Sequence, residues 1–169
     1  MWNFTSTFWV AGGGGGEVRI TKFEEYGLRL VLRLAAADGQ LTIRELAERE
    51  RIPEATVAKV IGRLRAAGLV RAARGRNGGS ALTAPASTIT IARIVEAFDE
   101  RLYDPGFCDR MAPGQSACSR ASSCGLRPVW RGLTAVVGDF LAGITVADVL
   151  AGGPIGDRGS LPLVAGQRM

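Results

Sequence analysis

A mainly α-helical fold with one small β-hairpin and a long C-terminal helix is predicted by three observations. Two capping boxes, Thr21-x-x-Glu24 and Thr42-x-x-Glu45, each stand just ahead of an apolar pattern of helical period. A third helical pattern follows the second closely, with Pro53 at its start and Gly68 as its stop. The stretch LVRAARGRNGGSALTA then alternates weakly around a Gly-rich turn, which reads as two short strands. Two short helices, a third helix and a hairpin, in that order, make a winged helix-turn-helix.

Each element has its own warrant. Behind Thr21, the residues Phe23, Tyr26, Leu30, Val31 and Leu34 keep helical spacing until Asp38-Gly39 ends the first helix. The second helix turns Ile43, Leu46 and Ala47 inward. In the third, Val57, Ile61 and Leu64 form the buried stripe, which leaves Ala55, Thr56, Lys59 and Arg63 on the other side. Arg74 and Arg76 fall at the tip of the hairpin, the wing. A fourth helix, around residues 90–100, carries Ile91, Ile94, Val95 and Phe98. Beyond Pro128 a long helix presents Trp130, Leu133, Val137, Leu141 and Ile144, and Thr145 caps a last short helix. A winged domain already has its core, so this extra stripe is expected to meet a second copy of the chain.

These readings divide the chain. Residues 18–100 form the winged domain, 101–127 a cysteine-bearing loop, and 128–150 the dimerisation helix with the short final helix. Residues 151–169, rich in Gly, Pro and Arg, are expected to be disordered. Residues 1–17 contain the run Gly12–Gly16 and are excluded from the fold. Val18 is a candidate start codon position, which would make them an over-extended gene prediction.

The length of 169 residues allows one domain plus an oligomerisation element. An apolar share of 47 % supplies a core, and a charged share of 22 % is that of an ordinary globular chain. No segment is long and apolar enough to cross a bilayer, and the first residues lack the charged start of an export signal. A cytoplasmic location is expected.

Charge narrows the partner. The net charge is +5, and no Asp or Glu occurs from Ala55 to Val95, where Lys59, Arg63, Arg65, Arg71, Arg74, Arg76 and Arg93 all lie. Such a one-sided run makes a lasting positive field, suited to double-stranded DNA or, more blandly, to water. On the third helix the small and basic residues Ala55, Thr56, Lys59 and Arg63 could enter a major groove. Arg74 and Arg76 on the wing would reach backbone or minor groove.

All the cysteines, Cys108, Cys118 and Cys124, fall in CDRMAPGQSACSRASSC, and there is no histidine. An odd number of cysteines argues against a secreted disulfide framework. A metal cluster, a zinc site completed by a carboxylate, a thiol redox switch and inert buried thiols all remain open. Without histidine, Ser-His and Cys-His catalysis are excluded, and no cofactor fingerprint occurs, so an enzyme is not expected.

The stretches TKFEEYGLRLVLRLA, LTIRELAERERIPEATVAKVIGRLRAAGLV, RGRNGGSALTAP and ACSRASSCGLRPVWRGLTAVVGDFLAGITVADVL are similar to the IscR/NsrR type of winged-helix regulator, the Rrf-two or BadM-like family. The pattern is closest to the nitric-oxide-sensing NsrR branch and covers residues 18–150. The resemblance implies a homodimeric regulator, a repressor by default, that binds operator DNA and answers to nitric oxide, redox state or iron–sulfur status. It implies a four-iron or two-iron cluster on Cys108, Cys118 and Cys124. In NsrR-like proteins a carboxylate from the first helix of the other subunit completes the set, and the matching motif is FEEY here, which points to Glu25. The gap Cys118-x5-Cys124 matches the family, whereas Cys108-x9-Cys118 is several residues longer and can bulge through Ala112-Pro113-Gly114. A cluster-free thiol- or zinc-dependent winged-helix repressor is the alternative.

Overall fold

Helix α1, Lys22–Ala35, begins where its capping box places it. The Thr21 hydroxyl accepts from the Glu24 N–H at 3.3 Å, and the Glu24 carboxylate accepts from the Thr21 N–H at 2.7 Å. The same reciprocal pair, Thr42 and Glu45, opens α2, Ile43–Glu50. The computed structural model describes residues 20–37, 39–73, 78–98 and 123–152. The expected leader at 1–17, Asp38, Arg74 and Arg76 of the expected wing tip, Cys108 and Cys118, the expected bulge at Ala112-Pro113-Gly114 and residues 153–169 of the expected tail lie outside these described residues.

Between α2 and the next helix the chain reverses at Arg51, whose φ of 54° is left-handed and whose N–H donates to the Ala47 carbonyl. Pro53 then caps α3, Glu54–Ala66. Strands β1, Val70–Ala73, and β2, Gly79–Leu82, pair antiparallel with Val70 opposite Leu82 and Ala73 opposite Gly79. Leu41 adds a bridge to Ser80, which ties the hairpin back to the entrance of α2. Helix α4, Ile91–Glu96, follows one 3-10 turn; α5 spans Leu126–Ala142 and α6 spans Val146–Leu150. The result is the expected mainly helical winged helix-turn-helix with a two-stranded hairpin and a long C-terminal helix.

One core holds these elements together. Leu30, Val31 and Leu34 from α1 meet Leu46 from α2, Val57, Val60, Ile61 and Leu64 from α3, and Ile94 from α4, all at most 3 % exposed. Phe98, just past α4, is among the largest fully buried side chains. Its ring lies so close to α1 that a Cβ on Gly27 would stand 2.3 Å from it. Only glycine lets the ring reach the helix.

The end of α5 returns to this core. The Ile91 N–H donates to the Ile144 carbonyl at 2.9 Å, and the Val146 N–H to the Ile89 carbonyl at 2.9 Å. Thr145 and Asp148 form a third capping box at the start of α6. Two sequence expectations change here. The long helix starts at Leu126, before Pro128, because a proline in the first turn forfeits no helical hydrogen bond. Ile144, expected on the dimer face, is 5 % exposed and belongs to the protomer's own core. The helix stops at Ala142, and the strand-like pairing of Thr90 with Thr145 carries Ile144 to the domain interior. No helix among the described residues is long and apolar enough to span a membrane.

Candidate nucleic-acid interface and cysteine site

The rotation of α3 about its axis is fixed from inside. Val57, Val60, Ile61 and Leu64 are buried, so the residues half a turn away must face out. Ala55, Ala58, Lys59 and Gly62 are exposed there, and Thr56 is half-buried at the flank. The strip is narrow and small, with a single ammonium on it: a surface that can approach a base edge closely. The sequence reading named Ala55, Thr56 and Lys59 but missed Ala58 and Gly62. The signal was available, since both lie opposite the buried stripe at 100° per residue.

Arg63, also expected to meet DNA, makes contacts within the protomer. Its Nη1 donates to the Phe98 carbonyl oxygen at 3.3 Å. Its guanidinium lies 5.4 Å from the centre of the Phe23 ring and 5.9 Å from that of Phe98. The group lies against Phe23 of α1 and the end of α4, while Arg63 itself is exposed and stands one turn on from Lys59, at the edge of the strip.

The α2 half of the motif is anchored by a buried carboxylate. Glu50, 8 % exposed, accepts from Arg29 Nε at 3.0 Å and from Arg33 Nε at 2.6 Å, while Arg29 Nη2 also reaches the Glu50 carbonyl. Two guanidiniums from α1 therefore neutralise the acid and cap the negative end of α2. At the other end, the Thr42 backbone N–H and then its hydroxyl hold the Glu45 carboxyl below its ordinary range. On the outer face of α2, the hydrogen bond to Glu48 raises the Arg44 guanidinium further. Arg65 and Arg71 are exposed on either side of the α3–β1 turn and extend the positive surface toward the wing.

Helix α5 is different in kind. None of its residues is buried, and Leu126, Val129, Trp130, Leu133 and Val136 are 61, 57, 41, 43 and 44 % exposed. They form one stripe along the helix. Of the expected dimer residues, Trp130 and Leu133 are on it; Val137 is half-buried, Leu141 packs against the protomer core, and Ile144 lies within that core. Leu126, Val129 and Val136 were missed, because the helix was expected to start later and in a slightly different phase.

Cys124 is half-buried and stands one residue before Gly125, the cap of α5. Glu25 is exposed in the first turn of α1, on the side opposite Phe23 and Gly27. Among the described residues no three His, Cys, Asp or Glu side chains gather as a metal site. Cys108 and Cys118 lie outside those residues, so only Cys124 and Glu25 of the expected ligand set are placed. The chain offers thiolates and carboxylates and no imidazole, a donor set that either an iron–sulfur cluster or zinc can accept.

Comparison with known proteins agrees with this architecture. The family model Rrf2, described as an iron-dependent transcriptional regulator, matches residues 20–152. Protein aau3 of Rhizobium meliloti is 31 % identical over 138 residues, covering 81 % of this chain and 88 % of that protein. The HTH-type transcriptional regulator IscR of Yersinia pestis is 30 % identical over 135 residues, 79 % of each chain. The solved structure of T. potens IscR superposes with a TM-score of 0.63 at 23 % identity, over 80 % of this chain and 88 % of that one, a likeness of fold. With its winged helix-turn-helix and a match across residues 20–152, the chain belongs to the Rrf2 family and is a transcriptional regulator, not an enzyme.

Proposed function

We propose that this regulator is a homodimeric repressor of double-stranded operator DNA whose affinity is set by an iron–sulfur cluster responsive to nitric oxide, redox state or iron–sulfur supply. One observation carries the reading: the position of Cys124. It stands at the start of α5, whose far end runs into Ile144 and Val146 of the DNA-binding core and whose length bears an uncovered apolar stripe. A ligand held at Cys124 acts on the element that joins the sensor loop, the partner and the reading head.

Each group has a role. Cys108, Cys118 and Cys124 would hold the cluster as thiolates, and the exposed Glu25 would reach from the partner subunit to complete the set. A bound cluster supplies iron that reacts with nitric oxide and oxidants. Leu126, Val129, Trp130, Leu133 and Val136 would pack against their copies around a two-fold axis, with Val137 at the flank. Ala55, Thr56 and Lys59, joined by Ala58, would line the major groove, with Arg74 and Arg76 on backbone or minor groove. Two reading heads must then sit about 34–36 Å apart to meet successive turns of DNA. Ligation by the partner's carboxylate would fix that separation. A change in it worth only about 1–3 kcal/mol alters operator affinity about 5- to 150-fold.

The test is purification without air, followed by iron, sulfide and zinc analysis and DNA binding before and after nitric oxide. A coloured protein with iron and sulfide in near-equal amounts, losing operator affinity with nitric oxide, is expected. A colourless protein with one zinc per chain, or one that binds DNA equally well with all three thiols replaced, would instead establish the zinc or plain-repressor reading.

A further inference from the structure

We infer that Arg63 is a positioning residue: it fastens the recognition helix α3 to Phe98, and through Phe98 to the segment that bears Cys108 and Cys118, without contacting DNA. The geometry is specific to a guanidinium. The group donates to the Phe98 carbonyl at 3.3 Å while lying 5.4 Å from the Phe23 ring and 5.9 Å from the Phe98 ring. A planar cation can serve a carbonyl at its edge and aromatic faces beside it, whereas a lysine ammonium offers a point charge on a flexible stem.

Phe98 makes the connection stiff. Its side chain is 1 % exposed, and the missing Cβ of Gly27 lets its ring sit against α1, where an added Cβ would be 2.3 Å away. The anchor thus belongs to the core, yet its carbonyl lies at the end of the fourth helical segment, the point from which the chain runs on to the cysteines. A displacement of that chain cannot be absorbed by the Phe98 ring without disturbing α1. It is passed instead to Arg63, one turn from Lys59 on the same helix. Packed elements with two arrangements transmit small shifts in this way.

The regulatory half of the inference rests on the proposed cysteine-held cluster; the positional half does not. The experiment separates them. Full-length wild type, Arg63→Lys, Arg63→Met and Phe98→Leu are compared on one DNA duplex, selected from a random pool by the wild-type chain. Each is measured both reconstituted with ferrous iron and sulfide and stripped of metal, across salt from about 50 to 200 mM. Loss of a phosphate contact lowers the salt slope by about one. The expected result is an unchanged slope in both Arg63 variants. The affinity ratio between the two forms, about 5- to 150-fold in wild type, shrinks toward one in Arg63→Met and Phe98→Leu alike. Arg63→Lys, which keeps the charge, shrinks it as well and stands in should Arg63→Met lose its helical circular dichroism.

A slope reduced by about one in Arg63→Met makes Arg63 a DNA contact and overturns the inference. A ratio left at the wild-type value by these substitutions overturns it equally. If wild type itself shows no ratio, the cluster reading fails. The positional claim then stands or falls on whether Arg63→Met and Phe98→Leu weaken binding by the same factor at unchanged slope.

Discussion

Helices α3 and α5 carry the same kind of message and meet opposite fates. Each has an apolar stripe at helical spacing. In α3 the stripe is covered: Val57, Val60, Ile61 and Leu64 are at most 3 % exposed. In α5 no residue is buried, and Leu126 and Val129 remain more than half exposed, at 61 and 57 %. The difference lies in the neighbours: α1, α2 and β1 surround α3, whereas among the described residues α5 joins the domain core through Phe140 and Leu141 near its C-terminal end. An amphipathic pattern states that a face needs cover; it does not state whether the same chain supplies it.

The sharpest way to break the comparison is a matched pair of truncations. Leu64→Ala should lower protomer stability by about 2–5 kcal/mol, the range for opening a cavity in a packed core. Leu133→Ala should leave unfolding of the dilute protomer nearly unchanged and weaken self-association instead. Burial of a leucine is worth about 1.5–3 kcal/mol, a tenfold or greater rise in the dimer dissociation constant. Urea unfolding and sedimentation velocity read the two effects. If Leu133→Ala destabilised a monomer as much as Leu64→Ala, α5 would be covered within its own chain and the dimer assignment would fall.

A pair of glycines sharpens the contrast at a smaller scale. Gly27→Ala places a methyl 2.3 Å from the Phe98 ring and should cost about 1–3 kcal/mol, partly restored by Phe98→Leu. Gly138, in the interior of α5, would hold an added Cβ with nothing within 4 Å of it among the described residues, and it lies off the exposed stripe. Gly138→Ala should therefore gain helix stability, by up to about 1 kcal/mol. Thermal unfolding of both variants checks this. A loss at Gly138 would mean that the back of α5 is also covered in solution.

These regions also divide what could be read from sequence. The three capping boxes at Thr21, Thr42 and Thr145 were legible or nearly so, because each is closed by a residue three positions away. The outer face of α3 was legible for the same reason: helical period alone sets it once Val57, Ile61 and Leu64 are inside. Arg63 was not, because its partners, Phe98 and Phe23, are distant in sequence and only the packing of Phe98 on Gly27 brings them together. Glu50, which joins α2 to Arg29 and Arg33 of α1, was hidden likewise. Ile144 shows the opposite error. Spacing from Leu141 extended the helix past Gly143, whereas the chain had already left the helix and entered the core.

The smallest expected effect concerns the turn that holds α3 in place. Arg51, exposed, takes a left-handed φ of 54° between α2 and α3. An L side chain there costs about 1–2 kcal/mol, which glycine avoids. Glycine in turn enlarges the unfolded ensemble and gives back about 0.5–1 kcal/mol. Arg51→Gly should thus gain a few tenths to about 1 kcal/mol, and Arg51→Asn, which tolerates this region with less added freedom, should gain at least a similar amount. Both variants also remove a cation just ahead of α3, the helix proposed to read DNA. A rise in melting temperature joined to a drop of about one in the salt slope of DNA binding would show that strain is kept at this turn for the sake of a phosphate contact. The same rise with an unchanged slope would show that the arginine serves neither stability nor a phosphate contact.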